Sequence, residues 1–178
     1  MDNLVAISQS FGLAVACGLA AVLPLGVLAV AALLGWLPGS VAIAAESPAL
    51  IVGWVLGVVE AAGRAFLPIP VRIGLSGLGG AVACELTLGH LIPFVGLLLG
   101  SAIGAGTAWT TTRLVDRAVA SGGPRWGVTA LVGGASIVVA ALAIIPAVGL
   151  ILVGIVIWVG MRSRKDDQGR YAGLRVLR

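Results

Sequence analysis

The chain has 178 residues, of which 60% are hydrophobic and 10% charged, with a formal net charge of +4. Its mean hydropathy is +1.14, whereas ordinary soluble domains carry roughly 25% charged residues. A soluble fold of this size has too little interior to hide so much apolar surface. The composition therefore excludes a soluble globular domain and predicts an all-α membrane protein with several spans.

The N-terminus, MDNLVAISQS, contains no Lys or Arg. LAVAC (13–17) loosely resembles a lipoprotein box and Ala14-Val15-Ala16 a cleavage site, but the apolar run continues past Cys17 to Gly35. The segment reads as a retained helix. Cys17 and Cys84 form no Cys-x-x-Cys pair and read as small packing residues.

A bilayer core needs roughly 20 apolar residues of helix. Six stretches qualify: Ser8–Gly35, kinked at Pro24, then Pro48–Gly63, Val71–Gly89, Leu91–Thr112, Gly127–Ala143 and Pro146–Met161. With the N-terminus inside, all 11 basic residues fall on one side, at Arg64, Arg72, Arg113, Arg117, Arg125 and along the tail. Loops 36–47, 89–91 and 144–145 contain none. This pattern predicts both termini in the cytoplasm, a single membrane domain over 1–161 and a basic cytoplasmic tail over 162–178. A hairpin at Ile145-Pro146 returns the tail to that side; five spans plus a re-entrant segment over 127–161 is the alternative count. Ten arginines to one lysine suggest a GC-rich bacterial genome, and so a bacterial inner membrane.

Helices in lipid associate through close backbone contact between small residues at four-residue spacing. Gly53, Gly57 and Ala61 supply one such stripe, and Gly96, Gly100, Gly104 and Ala108 another. Either stripe suits packing within a subunit or between subunits, so a homo-oligomer or partner membrane subunits are expected. VGWVLGVVEAAG (52–63) also aligns without gaps on VGLLLGSAIGAG (95–106), the trace of a parallel repeat.

Ionisable groups inside a membrane are functional candidates. Glu60 lies four residues before Arg64, so the two share a helix face; the structural reading is a locally paired charge near a helix end. Glu85 lies about 6 Å from the outer helix end at 1.5 Å per residue. The functional reading there is a proton-sensitive carboxylate. His90 meets Glu85 only if the helix ends at Gly89, because five helical residues separate side chains by about 140°. With a solitary His, no metal site is expected. No charge falls near the midplane of any expected span. No nucleophile–base pair, phosphate loop or metal-ligand spacing occurs, so neither enzyme activity nor a cofactor is expected, nor nucleic-acid binding. On the inner side, Arg113, Arg117 and Arg125 flank Gly122-Gly123, whose amides would form an anion-accepting nest for a phosphate or anionic lipid headgroup; the structural reading is a topology-setting loop on anionic lipid.

GLAVACGLAAVLPL (12–25), SPAL (47–50) and AVASGGPRWGVTALVGG (118–134) together resemble the DUF4126 family. The resemblance covers most of residues 8–160. It implies a small bacterial integral membrane protein and carries no assigned activity. The chain departs from the family pattern at RAFLPIPVR (64–72), where acidic and histidine positions are commoner.

The functional expectation is a transporter- or channel-like protein for a small solute, with a weakly polar path past Ser76, Ser101, Thr107 and Ser136. The alternatives are a non-catalytic scaffold or accessory subunit, and a lipid-headgroup-binding protein.

Overall fold

The computed structural model describes residues 2–35, 47–64, 66–88, 94–145 and 148–172. These residues form seven α-helices and no strand: α1 (Asp2–Leu19), α2 (Leu23–Leu33), α3 (Ser47–Gly63), α4 (Ile69–Leu88), α5 (Val95–Ala120), α6 (Arg125–Ala143) and α7 (Val148–Ala172). The all-α expectation holds. By length and composition α4 and α6 are able to cross a bilayer, while the apolar stretches Asn3–Leu19, Val52–Gly63 and Val148–Arg162 are shorter. Six full spans are therefore not supported.

The main departure concerns the first expected span. Residues 8–35 do not form one kinked helix; α1 stops at Leu19 and α2 begins at Leu23. Contacts with α6 fix the direction of each piece. Gln9 Nε2 donates to the Ile144 carbonyl at 2.6 Å, Gly12 packs on Ala143 and Gly149, and Leu23 reaches Gly133. So α1 runs antiparallel to α6, from the end of that helix to its middle. Ala61 of α3 faces Gly133, and Arg64 lies in a cavity wall shared with Thr129, so α3 also runs against α6. Leu23 meets Gly57, and Gly26 meets Trp54 and Gly53, which sets α2 antiparallel to α3. The chain thus descends through α1, reverses at Ala20-Ala21-Val22 and climbs back through α2. That return brings Leu28 and Ala31 into one buried cluster with Leu13, Ala16, Ala140 and Ala143.

Pro24 explains why the break falls here and not how far it turns. Proline lacks an N–H and is tolerated in the first turn of a helix, where that donor has no partner in any case. The reversal has a topological consequence. Ser10 accepts from Cys84 Sγ near the end of α4, so α1 starts beside the C-terminal ends of α4 and α6. α7 begins beside Ser8 at Gly149 and passes Thr110 at Gly160, leaving at the opposite end. α1 therefore starts, and α7 leaves, at opposite ends of the bundle. The chain reversal within the bundle is N-terminal, between α1 and α2, while α6 and α7 form a hairpin of two long arms. α7 continues as helix to Ala172, well into the segment expected to be a separate tail.

The described arginine side chains all gather at the end where α3 finishes and α4 begins. There Arg113 stacks on Trp109 at 3.9 Å and Arg162 lies 5.4 Å from the Trp158 ring. The segregation of basic residues read from the sequence is thus a property of the fold.

Both glycine stripes are used inside the chain. Gly96 and Gly100 lie against Cys84 and Gly80, and Gly104 lies against Ser76, closing α5 onto α4; Gly57 and Gly53 receive Leu23 and Gly26 of α2. In each case the stripe meets the helix that precedes it, which is the arrangement a doubled hairpin requires. The interior is built largely of small residues, with alanines and cysteines beside hydroxyls and two arginines. Ser76 and Ser136 are fully buried, and Thr107, Arg64 and Arg72 nearly so, while Leu98, Leu131, Val59 and Ile151 project outward.

A Cβ on Gly100 would enter the Gly80 carbonyl oxygen and lie 2.7 Å from Cys84 Cβ. Gly100→Ala is expected to destabilise the chain by about 1–3 kcal/mol, as overpacking does. Gly106, with no atom within 4 Å of an added Cβ, should accept Ala with a gain of about 0.5–1 kcal/mol from helix propensity. Thermal unfolding in detergent, followed by helical circular dichroism, reads both. Equal effects at the two positions would contradict the α4–α5 packing.

Candidate functional site

The chain reversal at residues 20–22 leaves backbone groups that an apolar interior cannot satisfy. The last carbonyls of α1 and the first amides of α2 lack intrahelical partners, and each orphan is costly away from water. One ion pair on α3 meets both needs. Glu60 Oε1 accepts from Ala21 N at 2.9 Å and Glu60 Oε2 from Val22 N at 2.9 Å. Arg64 Nη1 donates to Glu60 Oε1 at 2.9 Å. Its other nitrogen, Nη2, donates to the Gly18 carbonyl at 3.2 Å and to Ser76 Oγ at 3.3 Å.

The electrostatics agree with the geometry. A helix N-terminus carries partial positive charge and a C-terminus partial negative charge. The carboxylate lies at the N-terminus of α2 and the guanidinium at the C-terminus of α1. The side chains are 8% (Arg64) and 9% (Glu60) exposed, so each charge depends on this neighbourhood for its solvation. The Ala21 carbonyl presses on Gly79, at the middle of α4, where a larger side chain would block it. Thr107 packs on Gly18, and its buried hydroxyl oxygen has no partner among the described residues.

Glu60 and Arg64 are thus paired, as the sequence spacing indicates. The pair lies at the end of α3, as expected, and from there the Glu60 carboxylate meets Ala21 at the level of Gly79, the middle of α4, while Arg64 faces Ser76 and the cavity lined by Thr129. The i,i+4 spacing makes the pair legible, but its backbone partners at 18, 21 and 22 had no signal beyond Pro24. Of the four residues on the expected polar path, Ser76 and Thr107 flank the tip. Ser136 bonds the Gly133 carbonyl and Ser101 that of Leu98, each within its own helix.

Below the pair, Arg72 is buried and donates from Nε to the Leu67 carbonyl at 2.7 Å. Arg64, Arg72, Thr111, Thr112 and Thr129 wall a cavity of about 10 Å³, room for about one water.

The remaining candidates resolve separately. Glu85 Oε1 accepts from Phe94 N at 3.3 Å, so this carboxylate lies over the start of α5, and its Oε2 has no partner among the described residues. Cys84 is turned away from it, toward the Ser10 carbonyl. His90 lies outside the described residues. The expected anion nest does not form: Gly122 N donates to the Val119 carbonyl at 3.0 Å and Gly123 N to that of Ala118 at 3.1 Å. With Gly122 at φ +98°, this is a helix C-cap, and it occupies both amides. Arg113 and Arg117 stay one turn apart on α5, and Arg125 opens α6 within electrostatic reach of Arg72.

Removing one member of a buried pair leaves the other charge uncompensated, at a cost of about 3–5 kcal/mol. Glu60→Ala and Arg64→Ala should each lose stability on that scale, and the double variant should lose clearly less than their sum. Unfolding in detergent measures the cycle; simple additivity would mean that the two side chains act independently. In comparisons with known proteins, no family model, curated protein or solved structure matches this chain.

Proposed function

We propose that this chain is a multi-pass protein of a bacterial inner membrane, transporter- or channel-like for a small polar solute, with the tip of the α1–α2 hairpin as the solute station. The observation that carries this reading is the helix break at mid-height, held by Glu60 and Arg64. Helix ends meeting inside a membrane bundle offer amides and carbonyls to a polar solute without a dedicated charged cage. At this tip, a solute able to accept hydrogen bonds competes with Glu60 for the amides of Ala21 and Val22, while Arg64 and Ser76 supply further donors. The many large apolar side chains on the exterior support a lipid surrounding. The internal use of both glycine stripes favours this reading over a scaffold that docks partners through them. Resemblance to the DUF4126 family belongs to the same reading.

In this topology α3, α4, α5, α6 and α7 pass between the two ends and α1–α2 enters from the side opposite the arginines. The N-terminus is then outside and the basic tail cytoplasmic, in accord with the positive-inside rule, since MDNLVAISQS carries no Lys or Arg. Cys17 and Cys84 are buried, so an impermeant thiol reagent should leave the native chain unlabelled in cells. Leu4→Cys should label from outside, and Ser121→Cys only after permeabilisation. Labelling of both from one side would overturn this topology.

For transport, light-scattering of proteoliposomes measures the entry of a panel of small polar solutes. At least one should enter faster than into protein-free vesicles, with the excess reduced at least tenfold by Glu60→Ala and retained in Glu85→Gln. No excess for any solute, or an excess indifferent to Glu60, would refute the proposed station.

A further inference from the structure

Small residues facing each other across two helices in lipid normally close the gap between them. α3 and α6 do not close. Ala61 and Ala62 on α3 face Ala130, Gly133 and Gly134 on α6, yet a groove of about 520 Å³ remains between the helices, with Trp54, Phe66 and Trp126 among its walls. Leu23 explains the gap. Its side chain is wedged at the hairpin tip, 2.8 Å from the position of a Cβ on Gly57 and 3.9 Å from one on Gly133. The hairpin therefore props α3 and α6 apart, and Gly134 is left with open space where a Cβ would stand.

The groove has a distinct end. Trp126, exposed on its wall, follows Arg125, which is also exposed at the basic end of the bundle. Thr129 lines both this groove and the cavity of Arg64 and Arg72. The largely apolar groove thus reaches Trp126 and Thr129, next to the exposed Arg125 at the basic end, the complement of a molecule with an apolar chain and an anionic head. Indole rings and basic residues together at one level favour the headgroup region of a bilayer.

We infer that the α3–α6 groove binds one acyl chain of an anionic phospholipid, with its headgroup at Arg125. The inference rests on the membrane reading above but not on transport. It also relocates lipid recognition: the headgroup contact lies at the start of α6 beside the groove, and not in the amides of Gly122 and Gly123. Because the groove floor includes Leu23, an occupying chain touches the element that carries the hairpin tip.

Native mass spectrometry of the full chain in mild detergent tests this, with phosphatidylglycerol and phosphatidylcholine of identical acyl chains as probes. One phosphatidylglycerol should be retained, in preference to phosphatidylcholine by at least tenfold. Gly134→Leu and Ala130→Leu, which fill the groove from an open and an exposed position, should each reduce retention at least tenfold with helical circular dichroism unchanged. Arg125→Gln should keep acyl binding and abolish the preference between headgroups. Retention unaffected by both groove fillings overturns the site. Equal retention of the two lipids overturns the headgroup assignment. A dimer lost on Gly134→Leu, without any lipid, would mean that a second copy fills the groove. Recovery of the chain in the soluble fraction without detergent would instead refute the membrane reading itself.

Discussion

The requirement that buried backbone groups find partners governs this molecule. A chain reversal in the middle of an apolar bundle exposes amides and carbonyls that no water can reach, and here the only solution is a side chain delivered from elsewhere. Glu60 and Arg64, one helical turn apart on α3, answer both ends of the broken helix with opposite charges. Without that pair the hairpin tip has no reason to stop where it does. Much else follows: α2 returns beside α6, Leu23 separates α3 from α6, and the first helix starts at the end away from the arginines.

The packing around this point is close because so few side chains intervene. Gly79 admits the Ala21 carbonyl, Gly104 admits that of Ser76, and Gly80 and Gly100 admit each other. Helices in lipid cohere through contact of this kind, since apolar burial gains little when the surroundings are equally apolar. The arrangement buries small residues, hydroxyls and a few larger apolar side chains such as Leu13 and Leu28, and leaves many large aliphatic residues outward. The same arrangement separates the functional elements: a charged, hydrogen-bonded tip within the bundle, and an apolar groove on its flank.

Several features were legible in the residues. The helical class follows from composition, the break near Pro24 from its missing N–H, the Glu60–Arg64 pair from its spacing, and the turn at Ser121-Gly122-Gly123-Pro124 from its glycines. The hairpin at Ile145 was also readable, from the charge of the tail. Other features were not. Pro24 signals a discontinuity but does not distinguish a kink from a reversal, because the angle is set by what α2 packs against. The Gly122 and Gly123 amides suit an anion nest or a helix cap equally well in sequence, and the carbonyls of α5 are closer than any ligand. Glu85 had no nameable partner because its acceptor role is toward a main-chain amide, that of Phe94, and main-chain groups carry no sequence label.

What the sequence by itself determined is the helical class and the segregation of charge: an apolar, arginine-asymmetric chain with small residues spaced for contact. These properties are local or cumulative, so a linear reading captures them. Only the tertiary structure decided which glycine faces which helix, that residues 8–35 turn back on themselves, and that a carboxylate near the end of α3 lies at the bundle's mid-height. Those outcomes depend on long-range partners. The amides of Ala21 and Val22 reach their carboxylate across nearly forty residues of chain, a match that spacing along the sequence does not encode.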